Sequence, residues 1–216
     1  MSRQVTLEAV NLSKTYGLRA IFSHINFALR TGDRLGITGR NGTGKSTLLK
    51  LLAGVAEHTS GEVRRSVDDV VLSDGQQTRH LGFVAPYLQL YNEFTAWEHV
   101  ELLQQMRGLA FDKSRAQGLF TRFGLERRIH DELNTFSSGM LQRVKYICAL
   151  IHSPAILLLD EPMSNFDDDG VRTVREVIAE HSPNAVIVIA TNDDADLSLT
   201  THTLSVESTA FAAALD

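Results

Sequence analysis

A chain of 216 residues can bury one well-cored domain but not two, and its 43% hydrophobic and 22% charged residues exclude a disordered polypeptide. The net charge of −5 gives no general attraction for phosphate backbones, so no nucleic-acid partner is expected. One cysteine excludes an internal disulfide framework and fits a reducing compartment.

In chain order, Val5, Leu7 and Ala9 alternate with polar residues, as do Ile25, Phe27 and Leu29, and both stretches predict strands. Thr31-Gly32-Asp33 marks a turn before a short buried strand, Leu35-Gly36-Ile37-Thr38. A helix carrying Leu48, Leu49, Leu51 and Leu52 follows, with Gly54 placed to end it. Residues 62–84 predict further strands with a polar hairpin around Ser73-Asp74-Gly75. From Thr95 the pattern turns helical. Thr95 and Glu98 have the spacing of a capping box, Asp112 is placed to cap the next helix, and Gly124 to close it. A helix beyond Ser137 runs towards Ser153-Pro154, and it contains Cys148 among apolar neighbours, where a small buried hydrophobe is expected. A strand over 155–159, a helix with Val171, Val174, Val177 and Ile178 on one face, a strand over 185–190 and a last strand over 203–206 complete the reading. The Ala-rich residues at the end are expected to form a loosely held tail.

These elements predict one α/β domain with a mostly parallel core sheet, an N-terminal antiparallel β layer and an inserted α-helical subdomain. The core is expected over about 1–85 and 153–216, and the helical subdomain over about 86–152. The N-terminus has no charged-then-apolar leader pattern, and no apolar run approaches the ~20 residues that span a bilayer. A cytoplasmic location is expected, with any membrane span supplied by another chain. The eight histidines lack metal-ligand spacing, so no metal cage is expected.

Gly39-Arg40-Asn41-Gly42-Thr43-Gly44-Lys45-Ser46 matches G-x-x-x-x-G-K-[ST] between a buried strand and an amphipathic helix. Glycines allow the backbone to turn tightly so that its N–H groups face phosphate oxygens, and the helix start adds the positive end of its dipole. Lys45 is predicted to reach the β- and γ-phosphates and the Ser46 hydroxyl to ligate Mg²⁺. Downstream, Ile156-Leu157-Leu158-Leu159-Asp160-Glu161 is an apolar strand ending in two acids. Ligands bind at the carboxyl ends of such strands. Asp160 is therefore expected beside the phosphate loop, holding Mg²⁺ through a water, and Glu161 is expected to orient or deprotonate an attacking water.

Phe136-Ser137-Ser138-Gly139-Met140-Leu141-Gln142-Arg143 resembles the signature of ABC-type ATPases, usually L-S-G-G-Q, with serine for the first glycine and methionine for glutamine. By itself the segment also reads as an ordinary helix start. With the phosphate loop and the acidic strand end in this order, the resemblance covers nearly the whole chain and implies a P-loop NTPase fold. It implies ATP and Mg²⁺ as cofactors, with Thr47 joining the phosphate loop and Ser137, Ser138, Gly139 and Met140 gripping nucleotide bound to another protomer. Hydrolysis then requires a head-to-tail dimer of this chain or of it with a closely related ATPase subunit. Tyr16 matches the aromatic that stacks on adenine, and Ser164-Asn165-Phe166-Asp167 the loop that crosses the dimer interface.

Two positions depart from the family pattern. Pro86 stands where a glutamine sensing Mg²⁺ and the γ-phosphate is usual, and Gln89 is the candidate to take over that role, an exposed-loop glutamine being the equal alternative. In Thr191-Asn192-Asp193, Asn192 occupies the usual histidine position; its amide can donate to a phosphate oxygen but cannot become a cation. A slow ATPase is expected.

The resemblance implies the ATP-binding subunit of an ABC transporter, peripheral at the inner membrane face through an integral membrane permease. Pro86, Tyr87, Leu88, Tyr91, Phe94 and Trp97 are expected either to face that permease or to pack in the core. The Ser-Ser-Gly-Met form is also loosely similar to export-type ATPases such as the haem exporter subunit. Two other functions compete: a non-transport regulatory ATPase that dimerises as a slow switch, and a P-loop kinase, which leaves residues 136–143 unexplained.

Overall fold

In the computed structural model, which describes residues 3–73 and 75–207, the alternating N-terminal segments form two long antiparallel strands, β1 (Val5–Tyr16) and β2 (Arg19–Arg30). Leu7 lies opposite Leu29 and Ala9 opposite Phe27, so the apolar residues of both strands share one face. The predicted turn leads into β3 (Arg34–Thr38), and α1 (Lys45–Ala53) follows the glycine-rich loop and ends at Gly54. β4 (Ser60–Val67) returns to pair with β1, and β5 (Val70–Val71) completes an antiparallel sheet of order β2-β1-β4-β5.

The hairpin in this region turns earlier than expected. Val67 pairs with Val70, and Asp68 and Asp69 between them have φ of +49° and +63°. A two-residue turn with both central residues left-handed matches the twist of its flanking strands, and aspartate tolerates that conformation. Asp74, in the expected hairpin, lies outside the described residues, as does the Ala-rich tail beyond Glu207. The stretch 62–84 therefore divides between two sheets, because β6 (Leu81–Val84) joins the parallel one.

Helices occupy the next segment: α2 (Ala96–Met106), α3 (Lys113–Arg122) and α4 (Ser138–Leu150). Their starts follow local chemistry. Thr95 and Glu98 form a complete capping box, the Asp112 carboxylate accepts from the Arg115 N–H, and the Ser137 hydroxyl accepts from the Met140 N–H. Gly124, with φ +67°, follows the end of α3. Trp97 packs inward against Phe111 and Phe120, at ring distances of 5.2 and 6.1 Å, while Tyr87, Tyr91 and Phe94 remain exposed. Of the two alternatives for this cluster, Trp97 takes the core and the three other aromatics the surface.

β7 (Ile156–Asp160), α5 (Asp168–His181), β8 (Val186–Ala190), the short α6 (Asp194–Leu197) and β9 (His202–Ser205) complete the chain. The second sheet is parallel throughout, in the order β6-β7-β8-β3-β9. Its central strands are buried on both faces, which explains why they read as unbroken apolar runs. Alternate residues serve two cores. Ile156, Leu158, Val186 and Val188 pack with α1 and the antiparallel sheet, whereas Leu157, Leu159, Ile187 and Ile189 pack with the helical segment and α5. The carboxyl ends of β3, β7 and β8 lie side by side, and the loops leaving them carry the candidate site.

Candidate nucleotide site

The phosphate loop joins β3 to α1, and its conformation depends on Gly44. This residue has φ +110°, and a Cβ there would run into the side chains of Ile21 and Phe22. α1 has neither a side-chain cap nor an acid in its first turn, so the positive end of its dipole is left to a ligand. Lys45 is buried, and its Nζ folds back to donate to the Gly39 carbonyl at 2.6 Å and to Asn192 Oδ1 at 3.0 Å. Asn192 Nδ2 in turn donates to Asn41 Oδ1 at 2.8 Å.

A cleft of about 370 Å³ opens above the loop, lined by Asn41, Gly42, Gly44, Lys45, Ser46 and Thr47 on one wall and by Tyr87, Asp160 and Glu161 on the other. Asp160 is 2% exposed, and its Oδ2 has no hydrogen-bond partner within the protein. Ser46 and Asp160 line the same cleft, and a serine hydroxyl with a carboxylate suits a hydrated hard cation. Among the described residues no cluster of three or more His, Cys, Asp and Glu could hold a metal ion. Glu161 has φ +49° and is tied by its N–H to the Ala190 carbonyl at 2.8 Å. A left-handed non-glycine residue at a strand end beside a cleft is a strained position of the kind that recurs at functional sites. Burial raises the Glu161 pKa above its ordinary value; the Lys45 charge opposes this, and Asp160, Asp196 and Asp193 reinforce it.

Gln89 does not reach this cleft. It lines two other hollows, with Leu88, Leu90 and Lys145. The turn from Pro86, closed by the Leu88 N–H on the Ala85 carbonyl at 3.2 Å, directs Tyr87 to the nucleotide side and Gln89 away from it. Sequence reasoning missed Tyr87, whose only local signal is its place next to Pro86. Its ring lies under Lys50 Nζ at 4.3 Å, and burial, then the Asp160 charge and hydrogen bonding, push its hydroxyl pKa upward. Tyr16 also stands outside the cleft, 53% exposed at the end of β1, with Lys14 Nζ 4.5 Å over its ring.

The segment that resembles a signature forms a second cavity, of about 440 Å³, which shares no lining residue with the first. Ser137, Gly139 and Met140 line it at the start of α4, with Arg128, Arg143 and Asn165 around them. A Cβ on Gly139 would stand 2.9 Å from the Asn165 carbonyl oxygen, so the loop after Glu161 packs closely on this helix start. Ser138 faces a different hollow, with Gln142 and Lys145. Arg143 is fixed by the Phe123 carbonyl at 2.9 Å and Asp167 Oδ1 at 2.7 Å. Inside the protein, Tyr146 of α4 donates to the Pro162 carbonyl at 2.9 Å and so joins the second cavity's helix to the strand end of the first.

Comparison with known proteins agrees with this geometry. The sequence profile of the ABC transporter family matches residues 22–164. The linearmycin resistance ATP-binding protein of Bacillus subtilis is 31% identical over 86% of this chain, which spans 60% of that relative's length. The lipoprotein-releasing system ATP-binding protein of Syntrophotalea carbinolica is 33% identical over 92% of this chain and 93% of its own. Among solved structures, the ATP-binding subunit of an ABC transporter superposes with a TM-score of 0.82 at 28% identity, covering 93% of this chain and 85% of that one. A dimeric bacterial ABC transporter cassette gives 0.79 at 25% identity, covering 93% and 94%. With a phosphate loop, an acidic strand end and a signature-like helix start in one α/β fold, this chain belongs to the ABC transporter family as its ATP-binding, P-loop ATPase domain.

Proposed function

We propose that this domain hydrolyses MgATP between two copies, or between itself and a closely related subunit, arranged head to tail, and that the cycle drives a separate integral membrane permease. The observation that supports this reading is the division of the candidate site: the phosphate-loop cleft and the signature cavity share no lining residue on one chain, as two halves completed by a second copy would. Residues 1–85 and 153–216 act as the catalytic core, and residues 86–152 as the helical subdomain that moves with closure.

Gly39, Asn41, Gly42, Thr43, Gly44, Lys45 and Thr47 bind the phosphates, while Ser46 and Asp160 hold Mg²⁺. When bound, the metal neutralises developing charge on the phosphates. Glu161 takes the proton of the attacking water, and Asn192, beside Lys45, helps to orient the terminal phosphate. Tyr16 stacks on the adenine. Ser137 and Gly139 of the second copy close over the phosphates. Nothing in the geometry supports Gln89 as a metal ligand; Tyr87 holds its place in the cleft.

The permease docks on the hollow between β6 and helices α2 and α4, of about 440 Å³. Phe83, Leu88, Tyr91, Leu103 and Met106 make it apolar, which suits a docked segment of a partner. Among the described residues no helix is long and apolar enough to cross a membrane. In this reading the domain sits at the inner membrane face, held there by the permease.

The deciding experiment is the substitution Glu161→Gln. With ATP it is expected to run as a stable dimer on a sizing column, with turnover reduced about 10²-fold or more. Persistence as a monomer at saturating ATP defeats the two-copy site, and unchanged turnover defeats the role of Glu161. Recovery of a polytopic membrane protein with the natural chain from solubilised membranes tests the transport half of the proposal.

A further inference from the structure

We infer that Arg128 binds the nucleotide in trans: its guanidinium recognises a phosphate oxygen of ATP held on the phosphate loop of a second copy. The inference rests on the two-copy site proposed above and adds a residue that lies outside the signature-like segment.

Arg128 stands ahead of that segment in the chain and still lines its cavity, together with Ser137, Gly139 and Met140. Its guanidinium is held on three sides. Nε donates to Asp131 Oδ2 at 2.7 Å, Nη2 donates to Thr135 Oγ1 at 3.1 Å, and the cation lies 5.1 Å from the centre of the Phe136 ring. Phe136 is itself buried, so the plane of the guanidinium is set by the core below it. The remaining nitrogen, Nη1, has only the Met140 thioether, 3.8 Å away. A thioether is a weak acceptor, and a guanidinium has five donors to place. A pre-oriented fork with unused donors at the wall of a cavity is suited to a phosphate.

The charges around the cavity point the same way. It is lined by two guanidiniums, Arg128 and Arg143, against one carboxylate, Asp167, which Arg143 already binds at 2.7 Å. Asp131 holds Arg128 from outside and does not line the cavity. The excess is positive, and it adjoins a 13-residue helix with no acid in its first turn. Met140 stands where the signature usually offers a glutamine amide, and it brings no donor. Arg128, packed against the methionine sulfur, supplies donors at that place.

The test is made in the Glu161→Gln background, where the dimer persists. The fraction of dimer is followed on a sizing column against ATP concentration for the parent, for Arg128→Met and for Arg128→Lys. Methionine keeps an apolar stem over Phe136 and removes the charge; lysine keeps the charge and loses the fork. The ATP midpoint for dimerisation is expected to rise about tenfold in Arg128→Met, as for loss of one charge-assisted hydrogen bond, and by less in Arg128→Lys. Affinity for a fluorescent ATP analogue, measured at protein concentrations where the chain is monomeric, is expected to stay within about twofold, because a monomer uses only its own phosphate loop. An unchanged midpoint in Arg128→Met overturns the inference, and so does a shift matched by an equal loss of monomer affinity or by a collapse of the thermal transition. If the parent fails to dimerise with ATP, the two-copy reading falls and takes the role of Arg128 with it.

Discussion

Lys45 Nζ donates to Asn192 Oδ1 at 3.0 Å, across 147 residues of chain, and the same asparagine donates from Nδ2 to Asn41 Oδ1. One side chain at the end of β8 thus braces both the lysine of the phosphate loop and the loop itself. In the proposed cycle a phosphate entering the cleft is expected to compete with Asn192 for Lys45.

Asn192→Ala removes both hydrogen bonds and is expected to lower kcat/KM about tenfold, the effect of one hydrogen bond to a charged group. Asn192→His restores a group that titrates near pH 6.5. It is expected to raise turnover above that of the natural protein, which we place below the ~10 per second of an ordinary enzyme, and to introduce a new inflection between about pH 5 and 8. Steady-state ATPase profiles across that range decide both points; parallel profiles for the natural chain and Asn192→His remove Asn192 from catalysis.

Glu161 must be ionised to accept a proton from water. Burial raises its pKa above the ordinary 4.5, and Lys45 offsets that only in part. Activity is therefore expected to fall, on acidification, at a higher pH than an ordinary glutamate dictates. The acidic limb of kcat/KM locates this pKa, and a limb at or below pH 4.5 contradicts the assignment.

Tyr146 is fully buried, with its ring between Phe123 and Phe166 at 5.7 Å from each and its hydroxyl on the Pro162 carbonyl. Tyr146→Phe keeps the packing and leaves that carbonyl unpaired. A loss of about 1–3 kcal/mol is expected, equivalent to several degrees in Tm for a chain of this size. Because Pro162 follows Glu161, kcat is expected to fall more than nucleotide affinity. A melting temperature indistinguishable from that of the natural protein would falsify the claim that this hydrogen bond matters.

His152 bonds through Nε2 to the Leu81 carbonyl at 3.1 Å and has Nδ1 buried without a partner. Burial, then the Arg107 charge, lowers its pKa from 6.5 to about 3, with Arg115 and His181 adding to the effect. The unfolded chain therefore takes up a proton that the folded chain refuses between those values. This contribution to stability is complete above about pH 6.5 and is lost progressively as the pH falls towards 3. Urea midpoints are expected to drop between about pH 7.5 and 5.0, and by less in His152→Gln. Equal drops in both proteins exclude His152 as a source.

Features set by neighbours along the chain were legible from the order of residues. The phosphate loop, the caps at Thr95, Asp112 and Ser137, and the apolar strand ending in Asp160 depend on local backbone preference and on periodicity. Errors arose where the local signal was shared. Ser73-Asp74-Gly75 carries the stronger turn signal in the order of residues, but the hairpin closes at Asp68-Asp69, a position that the pairing of β4 with β5 sets. Pro86 marked a departure from the family pattern, but nothing in the order of residues reveals that Tyr87, and not Gln89, enters the cleft.

By itself the sequence determined the local features of the candidate site: a glycine-rich loop of the phosphate-binding pattern, two carboxylates at a buried strand end, and a serine-capped helix start. Each is a short segment whose backbone shape follows from glycine, proline, capping residues and the alternation of apolar side chains. Only the tertiary structure decided which distant side chains meet, including Asn192 with Lys45, Tyr146 with Pro162, and Arg128 with the cavity of Met140. Those contacts join residues far apart along the chain or aimed by a loop, and they are fixed by the packing of whole elements against two cores.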